Sequence, residues 1–171
     1  MNSKNILFKN FKVIKKTSNT KKLLNRLLKE DNKIINSLDR NYSDSYSKKK
    51  LSKYKNFKNI RIIGMGGSSL GTRAIYSFLT HKIKKKLTFF DNLQANRKRD
   101  NKKHLNLIVS KSGNTLETIV NSNIYINKVD KNIFITENKK NYLNVLANKL
   151  KSEIVHHNNY IGGRYSVLSE V

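Results

Sequence analysis

The sequence predicts an α/β fold: a parallel sheet covered by helices on both faces and preceded by a helical segment. Two observations carry that prediction. From residue 59 onward, β-rich runs of four to six residues alternate with helical stripes, the pattern of strands buried on both sides. The seven glycines fall into three short clusters, and the first two stand where a strand passes into a helix.

Taken in order, residues 1–58 form an N-terminal helical segment and residues 59–171 the α/β domain. Leu23, Leu24, Leu27 and Leu28, then Ile34, Ile35 and Leu38, follow a 3.6-residue stripe. Glu30, Asp31 and Asn32 interrupt it, which predicts a kink or two short helices. NYSDSYSKKK, from Asn41, has no apolar face and reads as a loop. IRIIG (60–64) is the first strand, and Leu70, Ala74, Ile75 and Phe78 mark the helix after it. LTFF (87–90) is a strand leading into a basic, asparagine-rich connection, and LNLIV (105–109) is the next. Leu116, Ile119, Val120 and Ile124 mark a helix, NIFIT (132–136) a strand, and Tyr142, Leu143, Leu146, Ala147 and Leu150 a further helix. EIVHH (153–157) is the last strand; His156 and His157 have no acid at a telling spacing and read as surface residues at its end.

A chain of 171 residues fits one domain that buries roughly 70% of its unfolded surface. There is no cysteine, which excludes disulfides and thiolate metal sites. The N-terminus lacks the apolar core of a signal peptide, and no run reaches the ~18 apolar residues of a membrane-spanning helix, so a cytoplasmic location is expected. The net charge of +25 points at first to nucleic acid. Yet 29 of the 36 basic residues are lysine, asparagine reaches 25, and proline is absent. Lys, Asn and Ile have AT-rich codons and Pro has GC-rich ones, so base composition accounts for the excess. The lysines are spread along the chain without aromatic interleaving, and neither nucleic acid nor membrane is expected as a partner.

Glycine is selected where φ must be positive or where a side chain would block close approach. The first cluster, IGMGGSSLG (63–71), approaches two nucleotide motifs and completes neither. A dinucleotide fingerprint has glycine where Ser69 stands, although Asp91 at the end of the next strand would suit a ribose. The Gly66-to-Gly71 spacing is that of a P-loop, but Thr72 and Arg73 replace the Lys-Ser/Thr pair. The second cluster, SKSGNTLET (110–118), concentrates three hydroxyls (Ser110, Ser112, Thr115), the cation of Lys111, and Gly113. A helix starting near Asn114 adds the partial positive charge of its N-terminus. N-capping by Ser112 or Asn114, with Glu117 closing a capping box, explains part of this pattern but not so many donors within six residues. Neutral donors around one cation suit the dianion of a phosphomonoester without a metal. In the third cluster, Gly162 and Gly163 precede Arg164, one of only seven arginines, a placement that suits an oxyanion.

With these clusters in this order, the chain resembles the N-terminal part of the glucose-6-phosphate isomerase family. Its pattern of IGxGGSxLG, SKS/T…T…ET and GGRxSVLS reads here as IGMGGSSLG, SKSGNTLET and GGRYSVLS (162–169). The resemblance covers residues 60–171; residues 1–58 carry no motif of the family. It implies the sugar-isomerase domain, a three-layer sandwich around a five-stranded parallel sheet. It also implies interconversion of glucose 6-phosphate and fructose 6-phosphate, in glycolysis and gluconeogenesis, with neither metal nor other cofactor. Ser110, Lys111, Ser112 and Thr115 match the family's phosphate loop, Gly67 and Ser68 the sugar side, Gly163 a further substrate-binding position, and Arg164 the arginine that stabilises a cis-enediolate. The full-length enzyme would be a homodimer.

The family's proton-shuttling glutamate, ring-opening histidine and late lysine follow the GGRxS segment. Glu117, Glu137, Glu153 and Glu170 match none of them, so the expectation is part of a longer enzyme that binds sugar phosphate without turning it over. The alternatives are a non-catalytic sugar-phosphate-binding regulatory domain and a dinucleotide-binding module.

Overall fold

The computed structural model describes residues 18–39, 41–93 and 102–169. Five strands, β1 (Asn59–Ile63), β2 (Lys86–Phe90), β3 (Leu105–Val109), β4 (Lys131–Glu137) and β5 (Glu153–His157), form one sheet in the order β2-β1-β3-β4-β5. Every neighbouring pair is parallel. The crossovers are α4 (Gly67–Leu79), α5 (Leu116–Tyr125) and α6 (Tyr142–Lys149); α1 (Ser18–Leu27), α2 (Lys33–Asn36) and α3 (Lys48–Leu51) precede the sheet. This is the α/β architecture that the alternation predicts. One refinement lies at the end of the segment expected as a loop, where Ser47 accepts a hydrogen bond from Lys50 N and starts α3.

Side chains alternate across a strand with period two, so each strand feeds two cores. On one face Ile63, Phe90, Ile108 and Phe134 pack with Tyr125 of α5 and with Leu143 and Ala147 of α6. On the other, Leu105, Ile133 and Val155 meet Tyr46, Leu51, Tyr54 and Phe57. The stretch before β1 is therefore part of the packing. Polar contacts fasten it further: Ser45 Oγ donates to His156 O at 2.6 Å, and Lys53 pairs with Glu153 at 2.9 Å.

The helices exist where the stripes place them, but two of them present other faces to the interior. In α4 the buried residues are Ser69 and Gly71, while Leu70 and Phe78 are 59% and 73% exposed. At the start of the helix Gly67 lies against the backbone of the 3₁₀ turn Gly163–Leu168, an approach that a side chain there would block. In α5 the buried residues are Thr118, Asn121, Ser122 and Tyr125, and Leu116 is exposed. All five leucines of the first stripe are exposed as well.

A second correction concerns His157, which is buried rather than at the surface. The chain after β5 folds back over the strand end, and His157 Nε2 lies 2.8 Å from Ile161 O. A carbonyl oxygen only accepts, so Nε2 carries the proton. Asp91, the candidate ribose partner, is paired with Arg73 of α4.

A candidate anion-binding site at the switch point of the sheet

The strand order reverses at β1: the chain leaves it toward β2 on one side, and β3 pairs on the other. Loops at the carboxyl ends of two such strands diverge and open a crevice, the usual place for a ligand in a parallel sheet. A cavity of about 350 Å³ lies there. The loop after β1 supplies Met65, and the first turn of α4 supplies Gly67 and Ser68; the loop after β3 supplies Ser110, Lys111, Ser112 and Thr115. Glu137 ends β4, and the final segment adds Gly162, Gly163 and Ser166. A larger cavity of about 830 Å³ opens at the opposite, amino ends of β4 and β5, among Lys53, Lys131, Lys151 and Glu153. It contains none of the glycine clusters, so size and chemistry disagree, and the chemistry favours the smaller cavity.

The loop after β3 is built around its hydroxyls. Ser110 Oγ accepts from Gly113 N at 3.2 Å and lies 2.9 Å from Thr115 Oγ1. Thr115, not Ser112 or Asn114, is the N-cap of α5, and its side chain makes no capping hydrogen bond. Glu117 is thus the second helical residue, one short of the position that closes a capping box. Asn114 instead accepts from Tyr142 N at 2.9 Å, at the start of α6. The capping alternative does not account for these residues.

Two backbone approaches bring the clusters together. A Cβ on Gly67 would lie 2.7 Å from the carbonyl carbon of Gly163, so the first and third clusters meet only because Gly67 lacks a side chain; at Gly163 the demand is the positive φ of +58. A Cβ on Gly162 would lie 3.0 Å from Nζ of Lys111, which places that side chain along the third cluster. Gly67, Ser68, Ser110, Lys111, Ser112, Thr115 and Gly163 therefore share one cavity wall. The backbone of Arg164 belongs to the 3₁₀ turn Gly163–Leu168 beside them; its side chain lies outside the described structure.

Sequence reasoning did not pick out Glu137, Ser166 or Met65. Ser166 is buried, and its Oγ donates to Gly163 O at 2.7 Å, which stiffens the turn. Glu137 is only 5% exposed; its Oε1 lies 3.6 Å from Lys111 Nζ, and its Oε2 pairs with Lys139. The hydrogen bond from Lys139, helped by the charges of Lys139 and Lys111 and opposed by burial, holds its carboxyl below the ordinary 4.5. A depressed carboxyl stabilises the fold above its unfolded-state value and loses that contribution as pH falls through the folded one. Urea midpoints for the wild type and Glu137→Gln should therefore differ at neutral pH and converge below about pH 4, near the ordinary carboxylate range. Parallel curves at every pH would contradict this.

Residues 19–171 match phosphoglucose isomerase as a family. The chain belongs to the phosphoglucose isomerase family. The family match thus begins well before β1 and includes most of the stretch that carries no recognisable motif. The glucose-6-phosphate isomerase of Methanocaldococcus jannaschii is 34% identical over 163 residues, which cover 86% of this chain and 39% of that protein. That of Borrelia garinii subsp. bavariensis is 35% identical over 136 residues, covering 68% and 26%. The chain thus spans between a quarter and two-fifths of the length of these two relatives. Among solved structures, a hypothetical protein from Thermus thermophilus superposes with a TM-score of 0.57 at 24% identity, over 66% of this chain and 31% of that one. The tagatose-6-phosphate ketose/aldose isomerase of Escherichia coli does so at 0.50 and 20%, over 64% and 32%. Both similarities concern the fold.

Proposed function

We propose that this chain is the sugar-phosphate-binding part of an aldose–ketose isomerase that interconverts glucose 6-phosphate and fructose 6-phosphate. The observation that carries the reading is the convergence of the three glycine clusters on one cavity furnished with hydroxyls and an ammonium. In this reading Ser110, Lys111, Ser112 and Thr115 seat the phosphate, and Gly67, Ser68 and Gly163 border the sugar. Arg164 stabilises the negative charge that develops on oxygen as a proton leaves C2, electrostatic assistance aimed at the enediolate. The whole enzyme, a cytoplasmic homodimer without metal or nucleotide, belongs to the same proposal.

Proton transfer needs a base whose pKa lies near the working pH. Glu137, the acidic residue of this cavity among the described residues, is a poor candidate, because Lys139 and Lys111 hold it ionised. The 171-residue chain is therefore expected to bind fructose 6-phosphate without isomerising it. Measurable turnover from the purified chain would contradict that expectation.

Calorimetric titration with fructose 6-phosphate tests the binding site itself. Lys111→Met should weaken binding roughly ten- to hundredfold, the range for one charge-assisted hydrogen bond. Unchanged affinity in that variant, or a melting temperature raised by NAD and not by fructose 6-phosphate, would overturn the assignment.

A further inference from the structure

A carboxylate in the wall of an anion site is an unfavourable choice on charge alone, and Glu137 is just such a group. We propose that Glu137 is a positioning residue: its carboxylate holds the Lys111 ammonium against the third glycine cluster, so that the cation is in place before an anion arrives. The inference rests on reading the loop at 110–115 as the phosphate seat.

Lysine is a strongly hydrated charge on a flexible four-carbon stem, and a site that depends on one must restrain it. The Lys111 side chain is one-third exposed, 33%, so its loop alone leaves it access to water. The end of β4 grips Lys111 at both ends. Its carbonyl oxygen accepts from Glu137 N at 3.0 Å and from Thr136 Oγ1 at 3.2 Å. Its ammonium faces Glu137 Oε1 at 3.6 Å, and the absence of a side chain on Gly162 gives the stem room to lie there. Lys139 pairs with the other carboxylate oxygen from outside. Two ammonium groups around one carboxylate leave the trio a net charge of +1, so the cavity still attracts an anion while Lys111 is held.

Simple electrostatics predicts the opposite sign for the key variant, which makes the test decisive. Inorganic phosphate is titrated calorimetrically into the 171-residue chain, with melting temperatures recorded alongside, for the wild type, Lys111→Met, Glu137→Gln and the double variant. Removing the carboxylate makes the cavity one charge more positive, yet Glu137→Gln should bind phosphate about tenfold more weakly, the low end of what supporting partners contribute at ion sites. In the Lys111→Met background the same substitution should cost nothing further, because there is no ammonium left to hold. Glu137→Asp, which keeps the charge but withdraws it, should also bind more weakly than wild type, and it serves if Glu137→Gln does not fold. Wild-type or tighter binding by Glu137→Gln or Glu137→Asp would overturn the proposal. So would an equal loss with and without Lys111. If Lys111→Met itself binds phosphate like the wild type, the phosphate-seat reading has failed; if only the Glu137 variants do, that reading stands and the positioning role falls.

Discussion

Asp130→Ala is expected to remove roughly 3–5 kcal/mol of stability, the range for taking one partner from a buried ion pair. Asp130 precedes β4 at the amino end of the sheet, with its side chain 0% exposed. Its Oδ2 lies 3.2 Å from Arg61 Nη1 on β1 and accepts from Asn106 Nδ2 on β3 at 3.2 Å. Its Oδ1 accepts from His104 N at 2.9 Å. Arg61 in turn donates to Tyr125 O, the last residue of α5, at 2.9 Å. One carboxylate thus joins β1, β3 and the α5–β4 connection. Alanine would remove the carboxylate facing a buried guanidinium and leave the His104 amide without its acceptor. Domains of ordinary stability hold about 5–15 kcal/mol, so urea denaturation should show a large fall in the midpoint. Asp130→Asn, which keeps an acceptor for His104 N but not the charge, should fall between alanine and wild type. Replacing both members, as in Arg61→Met with Asp130→Leu, should recover much of the loss, since the charges then leave together. A shift under about 1 kcal/mol in Asp130→Ala would mean that this network is peripheral to stability.

That network also marks a limit of sequence reading. The five strands were legible because β-rich runs bounded by polar residues have no other economical use, and the observed bounds differ from the predicted ones by a residue at most. An arginine within IRIIG carries no local sign of its partner, which lies sixty-nine residues on and meets it only through sheet pairing. The exposed stripe of α4 failed for a related reason. Periodicity registers which residues are apolar, not which face the rest of the fold covers, and here Ser69 and Gly71 are the buried residues.

The candidate site was more legible than the packing around it. Hydroxyls, a cation and glycines crowd within short stretches, because close approach and anion binding demand those residue types locally. Seven of the nominated residues reach one cavity. Glu137 escaped because its meaning is entirely tertiary: a single acid at a strand end, given a purpose by a lysine twenty-six residues earlier.

Gly113→Ala should cost about 2–5 kcal/mol and abolish anion binding together, because two separate penalties fall on one residue. Gly113 has φ +67, where a side chain is disfavoured by roughly 1–2 kcal/mol. An added Cβ would also lie 2.6 Å from Asn141 Nδ2, and forcing apart packed groups costs a further ~1–3 kcal/mol. Asn141 has little freedom to yield. Its Oδ1 caps α6 by accepting from Asn144 N at 2.8 Å, and its Nδ2 donates to Thr136 Oγ1 at 3.1 Å. Thr136 is the residue that donates to Lys111 O, so displacing Asn141 would disturb the anchor of the cavity's cation. Gly113 N also binds both O and Oγ of Ser110, and Gly113 O accepts from Leu143 N, so the bend cannot relax without losing its own hydrogen bonds. Asn141→Ala with Gly113→Ala separates the two penalties: removing the obstructing amide relieves the clash but not the backbone strain. The double variant should therefore lose less than the sum of the two single changes. Strict additivity in urea denaturation would show that the two residues do not meet as the structure places them.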